Sequence, residues 1–176
     1  MVRVWDPFVR VFHWTLALGF TAAWATAEDW RRLHELVGYL AGGLVAARVI
    51  WGFLGPRYAR FSQFVRPPRA VLAYLKAMAT GSECRFLGHN PAGGAMIVVL
   101  LAAMGATAGT GWLLTTDAFW GSTAMQVLHA AAAYGVLILV CAHLGGVALA
   151  SLRHRENLPR AMVFGDKRAP QAGDVI

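Results

Sequence analysis

His129 and His143 are the two residues of this sequence whose chemistry and spacing are most informative. They lie fourteen positions apart in the stretch from Ala118 to Leu152, which contains no Asp, Glu, Lys or Arg. Such a long uncharged run predicts a membrane-spanning helix. In an α-helix, fourteen residues rise about 21 Å and return to within about 40° of the same face. Because an imidazole in hydrocarbon needs a polar partner, this spacing indicates a cofactor, an ion path or a proton path.

The elements that must position these histidines are helices of a membrane protein. The 176 residues are 57% hydrophobic and only 14% charged, with a mean hydropathy of +0.50, a composition typical of membrane proteins. Apolar runs predict an all-α fold, a four-helix bundle forming a single membrane domain over residues 1–176, with spans at about 8–27, 34–54, 91–114 and 123–152. Apolar positions spaced by three and four over 69–80 predict a short interfacial amphipathic helix between helices two and three. Residues 169–176 are expected to form a flexible tail.

The net charge of +7 lies mostly on one side of the predicted bundle. Basic residues precede the first span, fill the loop between the second and third spans, and follow the fourth span. Only Arg31 and Arg32 lie in a loop on the other side. The positive-inside rule therefore predicts a multi-pass protein with both termini in the cytoplasm. We interpret the basic charge as a topology signal facing membrane lipid, and no nucleic acid partner is expected.

Helix direction sorts four histidines by their depth in the membrane. His34 begins the second span at the outer side and matches His129, which is near the outer end of the fourth span. His13, near the cytoplasmic end of the first span, matches His143, nearer the inner end of the fourth. Two imidazoles can ligate a haem iron from opposite faces. The pairs therefore predict two b-type haems with His13, His34, His129 and His143 as axial iron ligands, one haem at each depth.

The sequence also allows other interpretations of the histidines and of the glycines in the spans. Histidines can also be hydrogen-bonded packing residues or members of a proton relay, although a relay would be expected to use buried Asp or Glu partners. A haem-free transporter or assembly subunit, using the histidines for protons or metal, is the alternative function. His89 and His154 are expected at the cytoplasmic boundary rather than among the ligands. Glycines in the spans fit either close helix packing or clearance for a large flat ligand; they include Gly38, Gly42, Gly43, Gly105 and Gly109.

Three arginines are further candidate cofactor-binding residues. Arg48 follows His34 by fourteen residues, so the helical repeat predicts it on the same face at the depth of the inner haem. Its guanidinium could pair there with a haem propionate, and snorkelling to the inner headgroups is the alternative. Arg31 and Arg32 could serve the outer haem in the same way.

Five stretches of the sequence carry a resemblance to a known family. They are DPFVRVFHW at Asp6–Trp14, HELVGY from His34, RVIWGFLGPRYARF from Arg48, GHNPAGG from Gly88 and HRENLPRAMVFGDKR from His154. Together they resemble the bacterial cytochrome b561 family, specifically its nickel-hydrogenase cytochrome b subunit branch. The resemblance implies a four-helix protein with two haem b groups and one ligand in the first helix, one in the second and two in the fourth. These ligand positions correspond to His13, His34, His129 and His143, the four histidines that are paired above by their depth in the membrane.

The same resemblance implies what the protein exchanges electrons with. Members carry electrons between a partner redox protein and the membrane quinone pool, which places this chain in the bacterial inner membrane and the respiratory chain. The outer loops are short for a subunit that docks a large hydrogenase, so a c-type cytochrome, another haem protein and a hydrogenase all remain candidate partners. Both a non-enzymatic electron-transfer subunit and a quinone oxidoreductase are compatible with the sequence, and no catalytic residue is predicted.

Overall fold

The computed structural model describes residues 1–176 and consists mainly of seven α-helices. The four long helices are α1 (Pro7–Thr26), α2 (Arg31–Leu54), α5 (Pro91–Leu113) and α6 (Thr123–Arg153). The three shorter ones are α3 (Phe61–Phe64), α4 (Pro68–Thr80) and α7 (Leu158–Phe164), and a 3-10 helix covers Arg57–Ala59. Two short strands, β1 (Val2–Arg3) and β2 (Asp166–Lys167), pair antiparallel. The predicted helical fold is confirmed, and the strand pair is an addition to it.

Three helices, α2, α5 and α6, are long and apolar enough to cross a membrane. Helix α1 has 20 residues but is not among these three, because Arg10, His13 and two tryptophans lower its hydropathy. The prediction of a membrane protein is therefore supported by three helices, whereas the fourth span stays a prediction. Helix α4 forms where the amphipathic pattern predicts it, with Tyr74 buried and Leu72 and Leu75 exposed.

Polar side chains determine where several helices begin. Asp6 accepts a hydrogen bond from the backbone N–H of Val9 at the start of α1 (3.2 Å). Asn90 accepts one from the N–H of Gly93 at the start of α5 (2.7 Å). In both helices a proline follows the capping residue, and proline suits the first helical position because no amide hydrogen is needed there.

The chain packs as two compact units. The terminal unit comprises Met1–Arg10, Trp51–Val99 and Cys141–Ile176, and it contains both termini, the short helices and the strand pair. The helical unit comprises Val11–Ile50 and Leu100–Val140, which are parts of the four long helices and the two short loops between them.

The terminal unit has its own apolar core and a buried ion network. Val4, Trp5, Leu87 and Ala161 form the core. Beside it, Arg85 is only 5% exposed. Its guanidinium donates two hydrogen bonds to Glu156, at 2.7 and 3.2 Å, and one to Asp174. The ammonium group of Lys167 lies 3.4 Å from the Glu156 carboxylate, so two buried cations balance two buried anions.

The ion network changes the pKa values of its carboxyl groups. Burial works against ionisation of Glu156, but the hydrogen bond from Arg85 and the charge of Lys167 outweigh it and hold the pKa of Glu156 below its ordinary value. The backbone N–H of Gln171, followed by Arg85, lowers the pKa of Asp174. Both carboxyl groups are therefore ionised at neutral pH.

Residues of the segment for which the sequence predicts a flexible tail take part in the ion network and in backbone hydrogen bonds, and its flexibility stays a prediction. Besides Asp174, that segment includes Val175, whose N–H donates to the carbonyl of Arg85 and whose carbonyl accepts from Leu87, each at 2.9 Å. The last residues of the chain are thus hydrogen-bonded to the loop that precedes α5.

Candidate functional site

Two of the predicted ligands, His34 and His129, meet inside the helical unit. Their ring centroids are 6.1 Å apart, and the planes of the two imidazoles are 87° from parallel. His34 lies in the first turn of α2 and His129 in the second turn of α6. Both side chains are half-buried. The structure thus brings together the pair that the sequence predicts for the outer depth.

The ring of His34 is oriented by a backbone carbonyl of α1. Its Nδ1 lies 2.9 Å from the carbonyl oxygen of Ala23. Ala23 belongs to the last turn of α1, where carbonyls lack the usual partner within the helix. Because a carbonyl can only accept, Nδ1 carries the hydrogen and donates it. This tautomer leaves Nε2 with a lone pair for a metal.

The ring of His129 is oriented in the same way by α5. Its Nδ1 lies 3.1 Å from the carbonyl oxygen of Thr107 and 3.1 Å from the hydroxyl oxygen of Thr110. The Thr110 hydroxyl donates its hydrogen to a carbonyl of its own helix, so it can accept from the imidazole. Nδ1 of His129 is therefore the protonated nitrogen, and Nε2 is again the atom available to a metal.

Gly111 leaves the space that the ring of His129 occupies. A Cβ atom at position 111 would lie 3.1 Å from Cε1 of His129, closer than most side-chain contacts. Any larger residue would push the imidazole aside. The glycine thus has a defined role in placing one of the two rings.

The spacing of the two rings fits axial ligation of a single iron. A bond between a metal and an imidazole nitrogen is about 2 Å long, and the centre of the ring lies about 1 Å beyond that nitrogen. Two imidazoles on opposite sides of one metal therefore have centroids about 6 Å apart, which agrees with the 6.1 Å between His34 and His129. Hydrogen bonds from Nδ1 to carbonyls are also typical of metal-ligating histidines. The residues present fit the implied group.

A groove in the helical unit has a floor of small residues. Its volume is about 290 Å³. Cβ atoms added at Gly38, Gly43 or Gly109 would meet nothing within 4 Å, whereas one at Gly42 would touch Ala108 at 3.4 Å. The sequence left helix packing and clearance as alternatives for these glycines. In the structure, Gly42 serves packing between α2 and α5, and the other three border open space.

The other two predicted ligands lie in different units. His13 is half-buried in the helical unit, in the second turn of α1, and its ring contacts that of Trp14 edge to face at 5.2 Å between centroids. His143 is half-buried in the part of α6 that belongs to the terminal unit. The pairing of His13 with His143 stays a prediction.

The three candidate arginines have different surroundings. Arg48 is 3% exposed, which favours an internal role over snorkelling towards headgroups. Arg31 donates to the carboxylate of Glu35 at 2.8 Å and lies 4.4 Å above the ring of Trp120. Arg32 is exposed. A role for any of these arginines in holding a propionate stays a prediction.

The groups that orient the rings of His34 and His129 could not be predicted from the sequence. The carbonyls of Ala23 and Thr107 have no signature in the side-chain pattern, because any residue supplies a carbonyl. Thr110 and Gly111 lie in residues 105–111 of α5, a stretch rich in glycine and threonine. Their signal is local composition, which alone does not say which neighbouring helix they face.

A comparison with protein families identifies what the chain is similar to. The family described as prokaryotic cytochrome b561 matches residues 4–165. No curated protein and no solved structure matches the chain.

Proposed function

The chain belongs to the prokaryotic cytochrome b561 family, and we propose that it carries electrons across the membrane through two bis-histidine b-type haems. Membership supports a membrane protein that binds haem b and takes part in electron transfer. The main observation that supports haem ligation by pairs of histidines is the pair of His34 and His129, whose ring centroids are 6.1 Å apart.

At the outer pair, His34 and His129 are the proposed iron ligands, and the residues around them orient their rings. When bound, haem b supplies an iron that takes up and releases one electron. His34 and His129 would hold the iron through their Nε2 atoms, and with both histidines bound no coordination site would be left for oxygen or a substrate. The Nδ1 hydrogen bonds to Ala23 and Thr107 fix the tautomers and make each Nε2 a stronger donor.

A bare metal ion is less well supported at this site than a haem. Within residues 1–176, no group of three or more His, Cys, Asp or Glu side chains could hold a metal ion. Two imidazoles alone are fewer donors than a protein-bound transition metal normally takes. A haem would bring further nitrogen donors of its own, so that two histidines would be all it needs from the protein.

The second proposed haem site consists of His13 and His143, and it rests on the sequence. His143 follows His129 by fourteen residues in α6, a helix that continues from Thr123 to Arg153. Its ring is therefore expected on the same face about 21 Å further along. Arg48, which is 3% exposed, is the proposed partner of a propionate at this depth.

Orientation and partners follow from charge distribution and family. We place the protein in the bacterial inner membrane with both termini in the cytoplasm, since nearly all loop cations are on that side. Quinone is the proposed partner at one membrane surface. A c-type cytochrome, another haem protein or a hydrogenase is the proposed partner at the other. The amount of chain outside the helices on the outer side is small, which favours a small partner.

The absorption spectrum of the purified full-length protein tests the proposal. In an uncharged detergent we expect a Soret band, sharp α bands on reduction, and two haem b groups per chain in a pyridine haemochrome assay. A short-chain quinol should reduce at least one haem. A folded but colourless protein would favour the haem-free transporter or assembly subunit, and a single haem per chain would contradict the second site.

A further inference from the structure

A pocket in the terminal unit is lined mainly by cationic side chains. It has a volume of about 310 Å³ and lies where α6 ends and α7 follows. Its charged lining residues are Arg155, Glu156, Arg160, Asp166, Lys167 and Arg168. The proposed haem sites do not use any of them, so the pocket needs its own explanation.

The anionic residues of the pocket are already in ion pairs, whereas several of its cations are not, although Arg160 lies over the ring of Phe164 at 5.6 Å. Glu156 is bound by Arg85 and Lys167 in the ion network, and Asp166 lies 3.9 Å from Arg3. In contrast, Arg155 and Arg160 take part in none of the ion pairs of the structure. The pocket therefore has an excess of positive charge that the protein itself does not balance.

Arg168 adds to this excess. Its terminal nitrogen donates to the amide oxygen of Gln171, which is uncharged. Its Nε is buried and has no hydrogen-bond partner. A buried donor without an acceptor is costly and uncommon in proteins, and no carboxylate balances the charge of this guanidinium.

Arg155 is held in a backbone conformation that normally selects glycine. Its φ is +49°, in the left-handed region. The N–H of Glu156 donates to the carbonyl of Ser151, and the N–H of Arg155 donates to the carbonyl of Leu152. This is the hydrogen-bond pattern of a Schellman motif, in which the residue at position 155 is usually glycine. The chain accepts backbone strain here and gains a guanidinium at the pocket.

The chemistry of the lining indicates the class of ligand. Guanidinium groups bind phosphate oxygens through paired, charge-assisted hydrogen bonds. Phe164 and Ala161 line the same pocket and provide an apolar wall for a carbon chain attached to the phosphate. We propose that this pocket binds a phosphate group through Arg155, Arg160 and Arg168. Because α6 is a candidate membrane span, the source is either the headgroup of an anionic phospholipid or a free phosphate.

Calorimetric titration of the full-length protein, with its haem as isolated, tests this proposal in an uncharged detergent. One arm uses inorganic phosphate against sodium chloride of equal ionic strength. The other arm compares short-chain phosphatidylglycerol with short-chain phosphatidylcholine. We expect saturable binding in at least one arm, and a Kd at least about fivefold weaker after Arg155→Gly or Arg160→Gln.

Arg155→Gly and a control variant, Arg69→Gln, separate a binding role from a structural one. Arg155→Gly should keep or raise the melting temperature, because glycine suits its backbone conformation. Arg69→Gln is the matched control, since it removes one exposed cation from α4 of the same unit, and it should leave the Kd unchanged. If Arg155→Gly does not fold, the test depends on the Kd of Arg160→Gln alone.

The two arms also identify the source of the phosphate. Binding of inorganic phosphate alone supports a free phosphate, and a preference for phosphatidylglycerol alone supports a lipid headgroup. Absence of saturable binding in both arms would overturn the proposal. Equal weakening by Arg69→Gln and Arg160→Gln would also overturn it, because the effect would then come from net charge. None of these outcomes depends on the number of haems.

Discussion

The two units of this protein differ in how they satisfy their buried polar groups. In the terminal unit, Arg85, Glu156, Asp174 and Lys167 satisfy one another, and their charges cancel. In the helical unit, His34 and His129 use one ring nitrogen each, Nδ1, for hydrogen bonds to backbone or threonine. The function proposed for these histidines uses the second nitrogen of each ring, Nε2.

This contrast has an energetic basis. A buried charge is very costly unless a partner balances it, so the ion network is stable only when it is complete. A neutral imidazole costs much less to bury, and one hydrogen bond compensates part of that cost. The helical unit can therefore fold with Nε2 atoms left for a metal, whereas the terminal unit could not leave a carboxylate unmatched.

Replacing Arg85 should give the largest effect on stability. Arg85→Leu leaves two buried carboxylates with too little positive charge, and we expect a loss of about 3 to 5 kcal/mol of unfolding free energy. Thermal unfolding in detergent measures it. The control is Arg3→Leu, because Arg3 and Asp166 form an exposed pair 3.9 Å apart and such pairs contribute little. Similar melting temperatures for both variants would contradict the role of the network.

The pH dependence of stability should come from the same network. The folded pKa of Glu156 is below its ordinary value of 4.5, so its contribution is complete above that pH and is lost as the pH falls towards the folded pKa. Melting temperatures measured from pH 7 to pH 3 should therefore decline below pH 4.5. Glu156→Gln should be less stable at pH 7 and show a flatter profile. An unchanged slope in that variant would assign the acid sensitivity to other carboxyl groups.

A smaller and more local effect is expected in the helical unit. Thr110→Val removes a hydroxyl that accepts from Nδ1 of His129, and loss of such a partner typically weakens metal binding about tenfold. Thr107→Val is the matched control, because its backbone carbonyl, which binds His129, is retained. Haem retention during dilution, together with the midpoint potential of the outer haem, measures the effect. Equal changes in both variants would indicate packing rather than orientation of the ligand.

Much of the helical unit could be predicted from the sequence, because periodicity and charge are local signals. Helix bounds and the pairing of His34 with His129 follow from spacing along the chain. In the terminal unit, the expected helix at α4 follows from spacing in the same way. The span predicted at α1 stays a prediction, since its tryptophans, His13 and Arg10 weaken the apolar signal and only α2, α5 and α6 are apolar enough to cross a membrane.

The terminal unit was harder to predict because its contacts join distant parts of the chain. Arg85 meets Glu156 and Asp174 at separations of 71 and 89 residues, and no local pattern signals such a contact. The same contacts hold the C-terminal segment that composition alone predicts to be flexible. The strand pair β1 and β2, only two residues per strand, likewise has too short a pattern to be recognised.

The central claim, that His34 and His129 hold the same haem, is tested most directly by the haem content of paired variants. Each single change, His34→Ala or His129→Ala, should remove about half of the haem and the same spectral component. The double variant should lose no more than either single variant. His13→Ala combined with His34→Ala should lose nearly all haem, and His154→Ala should lose none. Loss of nearly all haem from the His34→Ala and His129→Ala double variant would contradict the claim.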